Sequence, residues 1–190
     1  KLDNVGVHMK QKAKYKIIRN MIILLEEHPF EEITIKMICA YSGVNRTTFY
    51  DYFLDKYDLI SKIQQYHLTK YKTLLTSLLS SFLQANYSQA KIYKFFKIIL
   101  TYIKRNYGYF HAILVTYPNK SLFSDYVATT KSSYKEILDL QDSIYNKKQF
   151  VIYTIGGQLG IIYFWIKEGC TESEDQLAQI LLANTIKLQR

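Results

Sequence analysis

Apolar residues recur at three- and four-residue spacing through most of the chain, and short polar clusters rich in Gly, Pro, Ser or Asn interrupt them. That pattern predicts helices joined by tight turns. A first helix is expected from about Met9 to Glu27, because Ile17, Ile18, Met21, Ile22 and Leu25 form one stripe from which Lys12, Lys16 and Arg19 fall away. His28 and Pro29 stop it. Phe30 and Ile33 flank an acidic pair and are expected to pin the connecting loop to the stripe. Thr34 then offers a hydroxyl to an unpaired backbone N–H, so a short helix to Tyr41 follows, with Ile35, Ile38 and Cys39 inward. Ser42 and Gly43 break it, glycine being the residue that enters a left-handed turn without steric cost. Val44 plugs the gap, and Asn45 caps a third helix, Arg46 to Phe53, in which Phe49 and Phe53 share the inner face.

A fourth helix is expected from Lys56 to Phe82, and others at about Ser88 to Asn106, Tyr109 to Thr116, Ser121 to Gln141, Asn146 to Glu168 and Ser173 to Leu188. No stretch alternates with period two for long enough to read as a strand. The expected fold is all-α. Residues 9–55 form a three-helix unit with a helix-turn-helix at about 34–53, and residues 56–190 form a second helical unit.

Composition supports a globular helical chain: of 190 residues 48% are hydrophobic, with only 7 Gly and 2 Pro. Cys39 and Cys170 lie far apart with no metal-ligand or paired spacing, which fits packing roles in a reducing cytosol. Lys1 to His8 lack the apolar core of a signal peptide, so a cytoplasmic location is expected. The sixteen residues from Val151 to Ile166 fall short of the roughly 20 that span a bilayer, so a buried helix is expected there and no membrane partner. The net charge of +9 suggests an anionic partner, yet residues 1–60 carry only +1 and residues 61–190 carry +8. What favours DNA at the front is local: residues 1–20 hold six basic side chains and only Asp3.

In a helix-turn-helix the second helix enters the major groove, so its outward residues must reach base edges. Arg46, Thr47 and Tyr50 have that chemistry: paired hydrogen bonds to guanine, a contact to a base or a thymine methyl, and a phosphate bond. Thr34, Lys36 and Lys56 stand at helix starts, where a cation and a helix N-terminus favour phosphate. Asp51 either accepts from a cytosine amino group or pairs with a nearby lysine, the second being the simpler reading.

These residues resemble the TetR/AcrR transcription regulators over nearly all of the first 60 positions. Thr34-Ile35, Ile38-Cys39, Ser42-Gly43-Val44-Asn45, Thr48-Phe49-Tyr50, Tyr52-Phe53 and Lys56 occupy the motif, with Cys39 and Ser42 standing for alanines and Asn45 for serine. The resemblance implies DNA contacts at Thr34, Lys36, Asn45, Arg46, Thr47, Thr48, Tyr50, Tyr52 and Lys56, and a homodimer on a near-palindromic operator.

Farther on, Gly156 and Gly160 lie four apart on an apolar helix, where they allow another helix to approach closely. This looks like the penultimate helix of certain TetR-type regulators, whose last two helices form a four-helix dimer interface. On that reading Gly156, Ile155, Leu159, Gly160, Ile162, Trp165, Leu177, Ile180, Leu181 and Ile186 belong to the interface; otherwise the glycines serve packing within one subunit. Many relatives sense a small molecule between their middle helices, which makes Tyr102, Phe110, Tyr126, Tyr153 and Phe164 candidate ligand contacts, although aromatics at helical spacing are more often core. Lys91, Lys94, Lys97 and Lys104 read as a solvated face. His8, His28, His67 and His111 have no ligand spacing with carboxylates, so neither metal nor cofactor is expected. No phosphate-cradling loop, activated nucleophile or paired carboxylates point to an enzyme. The functional expectation is a homodimeric repressor released by a small effector, with an activator or adaptor controlled by a protein partner as the alternative.

Overall fold

In the computed structural model, which describes residues 2–83, 88–139 and 146–187, the chain is helical and the described residues contain no strand. The helices are α1 (Leu2–Glu27), α2 (Ile35–Ser42), α3 (Arg46–Tyr50), α4 (Lys56–Leu83), α5 (Gln89–Arg105), α6 (Tyr107–His111), α7 (Lys120–Asp139), α8 (Lys147–Lys167) and α9 (Glu174–Lys187). A π-helical turn, Ala112–Thr116, separates α6 from α7. The expected helix ends at Gln141 and Leu188 lie outside the described residues.

Three helices differ from expectation by three residues or more, and one of them, expected from about Tyr109 to Thr116, is α6 (Tyr107–His111) followed by the π-helical turn. Helix α1 begins at Leu2 rather than near Met9, and no proline in that stretch prevents it. Helix α3 closes at Tyr50, because the Phe49 carbonyl accepts from both Tyr52 N–H and Phe53 N–H and tightens the chain into a turn. Burial explains the rest of the front unit. Ile17, Met21, Leu24, Ile33, Ile38 and Phe49 are fully enclosed, so α1 is the common wall on which α2 and α3 pack.

Helix α4 runs out of this unit and packs on α5 and α7, while α5 lies along α9 and α7 along α8. The end of α1 also meets α6 at Gly108, where an added Cβ would sit 3.1 Å from Glu26 Oε1. The expected solvated lysine face of α5 is in part an inter-helix clasp: Lys97 pairs with Asp175 at 2.7 Å and Lys104 with Glu174 at 3.3 Å. Helix α9 starts on a reciprocal cap, Gln176 N–H to Ser173 Oγ at 3.2 Å and Ser173 N–H to Gln176 Oε1 at 3.1 Å. Cys39 and Cys170 are free and buried.

Candidate nucleic-acid interface and internal cavity

Local chemistry positions the reader. Thr34 is extended (φ −112°, ψ 155°) and its Oγ1 accepts from Met37 N–H at 3.2 Å. Gly43 is left-handed (φ 62°, ψ 38°), and the Val44 N–H closes the turn onto the Cys39 carbonyl at 3.1 Å. Asn45 Oδ1 then accepts from Thr48 N–H at 2.7 Å and starts α3. Phe49 and Phe53, buried with ring centroids 5.7 Å apart, fix the inner face. The outcome is that Arg46, Thr47 and Tyr50 are exposed, as are Thr34, Lys36 and Asn45, while Thr48 and Tyr52 are half-buried. Lys12, Lys14, Lys16 and Arg19 are exposed along α1. Asp51 is exposed and enters no ion pair among the described residues, so the pairing expected for it is not formed.

Lys56, expected at a phosphate, is half-buried and bonded within the chain. Its Nζ donates to the carbonyls of Phe30, Glu31 and Ile33 at 3.0, 2.9 and 2.8 Å, and lies 4.8 Å from the centre of the Phe30 ring. Its three N–H groups are consumed within the chain. Lys56 therefore ties the start of α4 to the loop before α2.

Behind the reader, α4, α5, α7 and α8 enclose an apolar cavity of about 90 Å³. Tyr102, Phe110 and Tyr126 line it, as expected for candidate ligand contacts. Tyr153 and Phe164 do not: they are 67% and 57% exposed on the outer side of α8, and Tyr163 lines the cavity instead. Spacing missed Tyr71, Thr130, Tyr134 and Gln158, which also line it. Their polar ends are paired: Tyr71 with Thr130 at 2.5 Å, and Tyr134 with Gln158 at 2.9 Å, which in turn reaches Thr185 at 3.2 Å.

His67 was also missed. It is buried on α4, stacked on Tyr109 with centroids 3.9 Å apart, and its Nδ1 shares a 2.6 Å hydrogen bond with the Tyr102 hydroxyl. Burial lowers the imidazole pKa to about 4, and burial pushes Tyr102 up to about 12, so both are neutral at physiological pH.

Comparison with known proteins decides what this arrangement is. A sequence profile described as bacterial regulatory proteins, tetR family, matches residues 17–63, and one described as transcriptional regulator C-terminal region matches residues 90–187. The chain belongs to the TetR family of DNA-binding transcriptional regulators. A search of curated protein sequences returned no match. Solved structures share the fold. The fatty acid degradation regulator FadR from Bacillus halodurans has a TM-score of 0.68 at 12% identity, covering 90% of this chain and 93% of that one. A TetR transcriptional regulator from Streptococcus agalactiae has a TM-score of 0.62 at 15% identity, covering 96% and 98%. FadR from Bacillus subtilis, solved in complex with stearoyl-CoA, has a TM-score of 0.64 at 12% identity, covering 89% and 95%. The family and these neighbours are regulators, not enzymes.

In this TetR-family regulator the expected dimer residues divide. Trp165, Leu177 and Leu181 are buried in the subunit's own core, with Trp165 Nε1 donating to the Glu172 carbonyl at 3.1 Å, so they are not available to a partner. Ile155 and Ile162 turn to the internal cavity. Ile180 is 45% exposed, and Gly156, Gly157 and Gly160 have no atom within 4 Å of the position of an added Cβ. The glycines therefore serve no packing inside the subunit. Helix α8 is also less buried than its sequence suggests: it is long and apolar enough to cross a membrane by length and composition, yet only 28% of its most apolar window is covered. Beside it an open groove of about 860 Å³ runs between α7 and α8, lined by Ile152, Gly156, Leu159 and Gly160.

Proposed function

We propose that this TetR-family regulator is a homodimeric repressor that reads a near-palindromic operator through α3 and is released by a small molecule held in its internal cavity. On this reading residues 9–55 are the reader and residues 56–190 the regulatory and dimerising unit. The observation that carries the reading is the cap, glycine turn and aromatic pair that hold Arg46, Thr47 and Tyr50 outward. Thr34, Lys36, Asn45 and Thr48 add backbone contacts that set register. Selection of bound fragments from genomic DNA would supply the operator. Arg46→Ala is then expected to weaken it by about 1–3 kcal/mol, roughly 5- to 150-fold, the range of a lost bidentate base contact. Tyr50→Ala is expected to weaken all sequences more evenly, as a phosphate contact does. Equal affinity of wild type and Arg46→Ala for the selected DNA, measured by fluorescence anisotropy, would remove α3 from base reading.

The dimer is supported by the uncovered apolar face of α8, formed by Ile152, Tyr153 and Phe164 with Gly156, and by Ile180 of α9. A patch of that kind is normally covered by another chain. Because the glycine positions are open within the subunit, Gly156→Leu should fold normally but obstruct a facing helix. Sedimentation is expected to show monomers; an unchanged dimer would take the glycines out of the interface. Release by a ligand is supported by the cavity between α4 and α8, since α4 begins at the Lys56 clasp of the reader and lines the cavity with Tyr71, Leu74 and Leu75.

A further inference from the structure

The internal cavity is too small to be a whole ligand site. At about 90 Å³ it falls below the roughly 150 Å³ that admits a benzene ring, so it has room for the end of a narrow chain and not for a ring. It is not isolated. Leu114, Phe123, Ile155, Leu159 and Tyr163 line both this cavity and the open groove of about 860 Å³ between α7 and α8. One layer of side chains therefore parts the two spaces. Phe123 is the residue of α7 common to both and is 44% exposed, so a turn of its ring opens one space to the other.

The groove combines an apolar floor with cations at its ends. Phe123 and Val127 of α7 and Ile152 and Leu159 of α8 supply the floor, and Gly156 and Gly160 leave it free of side-chain bulk. Lys120 and Lys131 are the first and last groove residues on α7, both exposed and in no ion pair among the described residues. The helical rise over residues 120–131 sets them about 16 Å apart. Lys120 stands one turn from Phe123, whereas Lys131 stands at the far end with Val127 between. A second copy of the chain cannot neutralise these cations through its α8, because that helix contains no Asp or Glu. An apolar trough with an unpaired cation at its end fits an amphiphile whose head is an anion.

We propose that groove and cavity together take a linear amphiphile with a single anionic head, in its simplest form a free aliphatic carboxylate. The head pairs with Lys131, the chain lies on Val127, Ile152 and Leu159 over the glycines, and its end passes Phe123 into the cavity. A head on Lys120 would leave the floor uncovered, since that lysine is already beside Phe123. From Lys131 to Phe123 the helix rises about 12 Å, which calls for a chain on the order of ten carbons. The role of such a ligand as effector rests on the proposed release reading. Leu114, beside the chain end, belongs to the π-helical turn that packs on α1 of the reader.

Decanoate, octanoate, decylammonium and 6-phenylhexanoate separate length, charge and shape when titrated below micelle-forming concentrations into the full chain by calorimetry. Decanoate is expected to bind saturably and at least about fivefold more tightly than decylammonium, the difference between attraction to and repulsion from one exposed lysine. Octanoate should bind about tenfold more weakly than decanoate, as two lost methylenes entail. The ring-ended 6-phenylhexanoate, of equal length, should also bind at least about fivefold more weakly, because its ring cannot follow into the cavity. Lys131→Gln should remove most of the preference for decanoate over decylammonium. Lys94→Gln, an exposed α5 position outside the groove, lowers the net charge equally and should leave that preference intact. Unaltered melting temperatures show that both variants keep the fold. No binding of decanoate, equal binding of the cation or the ring-ended acid, or a preference that survives Lys131→Gln would each overturn the proposal. So would a dimer that decanoate splits in sedimentation, since the groove would then be the seat of the second copy. A parallel operator-release assay keeps the two ideas apart. Decanoate that binds as expected without loosening DNA would sink the release reading and leave the site standing. Release by a ligand indifferent to Lys131→Gln would keep the release reading and sink the site.

Discussion

Lys56→Met is expected to lower stability by about 3 kcal/mol, read as a fall in the urea midpoint at unchanged slope. Methionine keeps most of the aliphatic stem, so the loss isolates the ammonium group. Three carbonyls, those of Phe30, Glu31 and Ile33, converge on that nitrogen within 3.0 Å. A hydrogen bond to a charged group contributes about 1.5–3 kcal/mol when buried. Here the site is only half-buried, water replaces part of what is lost, and the three bonds do not add in full. Lys56→Arg should recover little, because a planar guanidinium cannot point three donors at carbonyls that surround a single point. The alternative role is checked in the same experiment. A variant with wild-type stability whose DNA affinity loses about one unit of salt slope would mean that Lys56 contacts a phosphate after all.

Stability should also fall by about 3 kcal/mol as pH drops from about 6.5 to about 4, through His67 alone. The folded imidazole has a pKa near 4 because it is buried between Tyr109 and Tyr102, whereas the unfolded one titrates near its ordinary 6.5. Between those values the unfolded chain binds a proton that the folded chain refuses, so acid favours unfolding. Above that window the neutral ring carries no such penalty. The limit is two and a half pH units at about 1.4 kcal/mol each, of which about 3 kcal/mol is lost by pH 4 because the titration is gradual at both ends. Asp58 and Asp175, held low mainly by hydrogen bonds to Lys62 and Lys97, and Glu174, held low by a backbone hydrogen bond and Lys104, add their own acid sensitivity mainly below pH 4.5. His67→Phe keeps an aromatic face on Tyr109 and should flatten the urea midpoint between pH 4.5 and 6.5. A slope that survives the substitution would assign the acid response to other groups.

The parts of the fold that were legible in the sequence are those set by neighbours in the chain. Thr34 and Asn45 cap because a short oxygen-bearing side chain precedes a helical run, Gly43 turns because a left-handed residue is needed there, and Phe49 and Phe53 face inward because they are one helical turn apart. What was missed depends on partners far away. The carbonyls that hold Lys56 lie 23 to 26 residues upstream, and the hydroxyl beside His67 lies 35 residues downstream. Helices α8 and α9 were misread for a different reason. They carry apolar residues on more than one face, so spacing alone does not say that Trp165, Leu177 and Leu181 turn to the core while Ile152, Tyr153 and Phe164 turn out. For the same reason Tyr163, and not its neighbour Phe164, reaches the cavity.

The most direct test of the account is the ratio of affinities for the selected operator and for a scrambled duplex of the same length and composition, measured by anisotropy near physiological salt. A sequence reader built on Arg46, Thr47 and Tyr50 predicts a ratio of about 10³ or more, with both affinities falling steeply as salt rises. A ratio near one at that salt would contradict it.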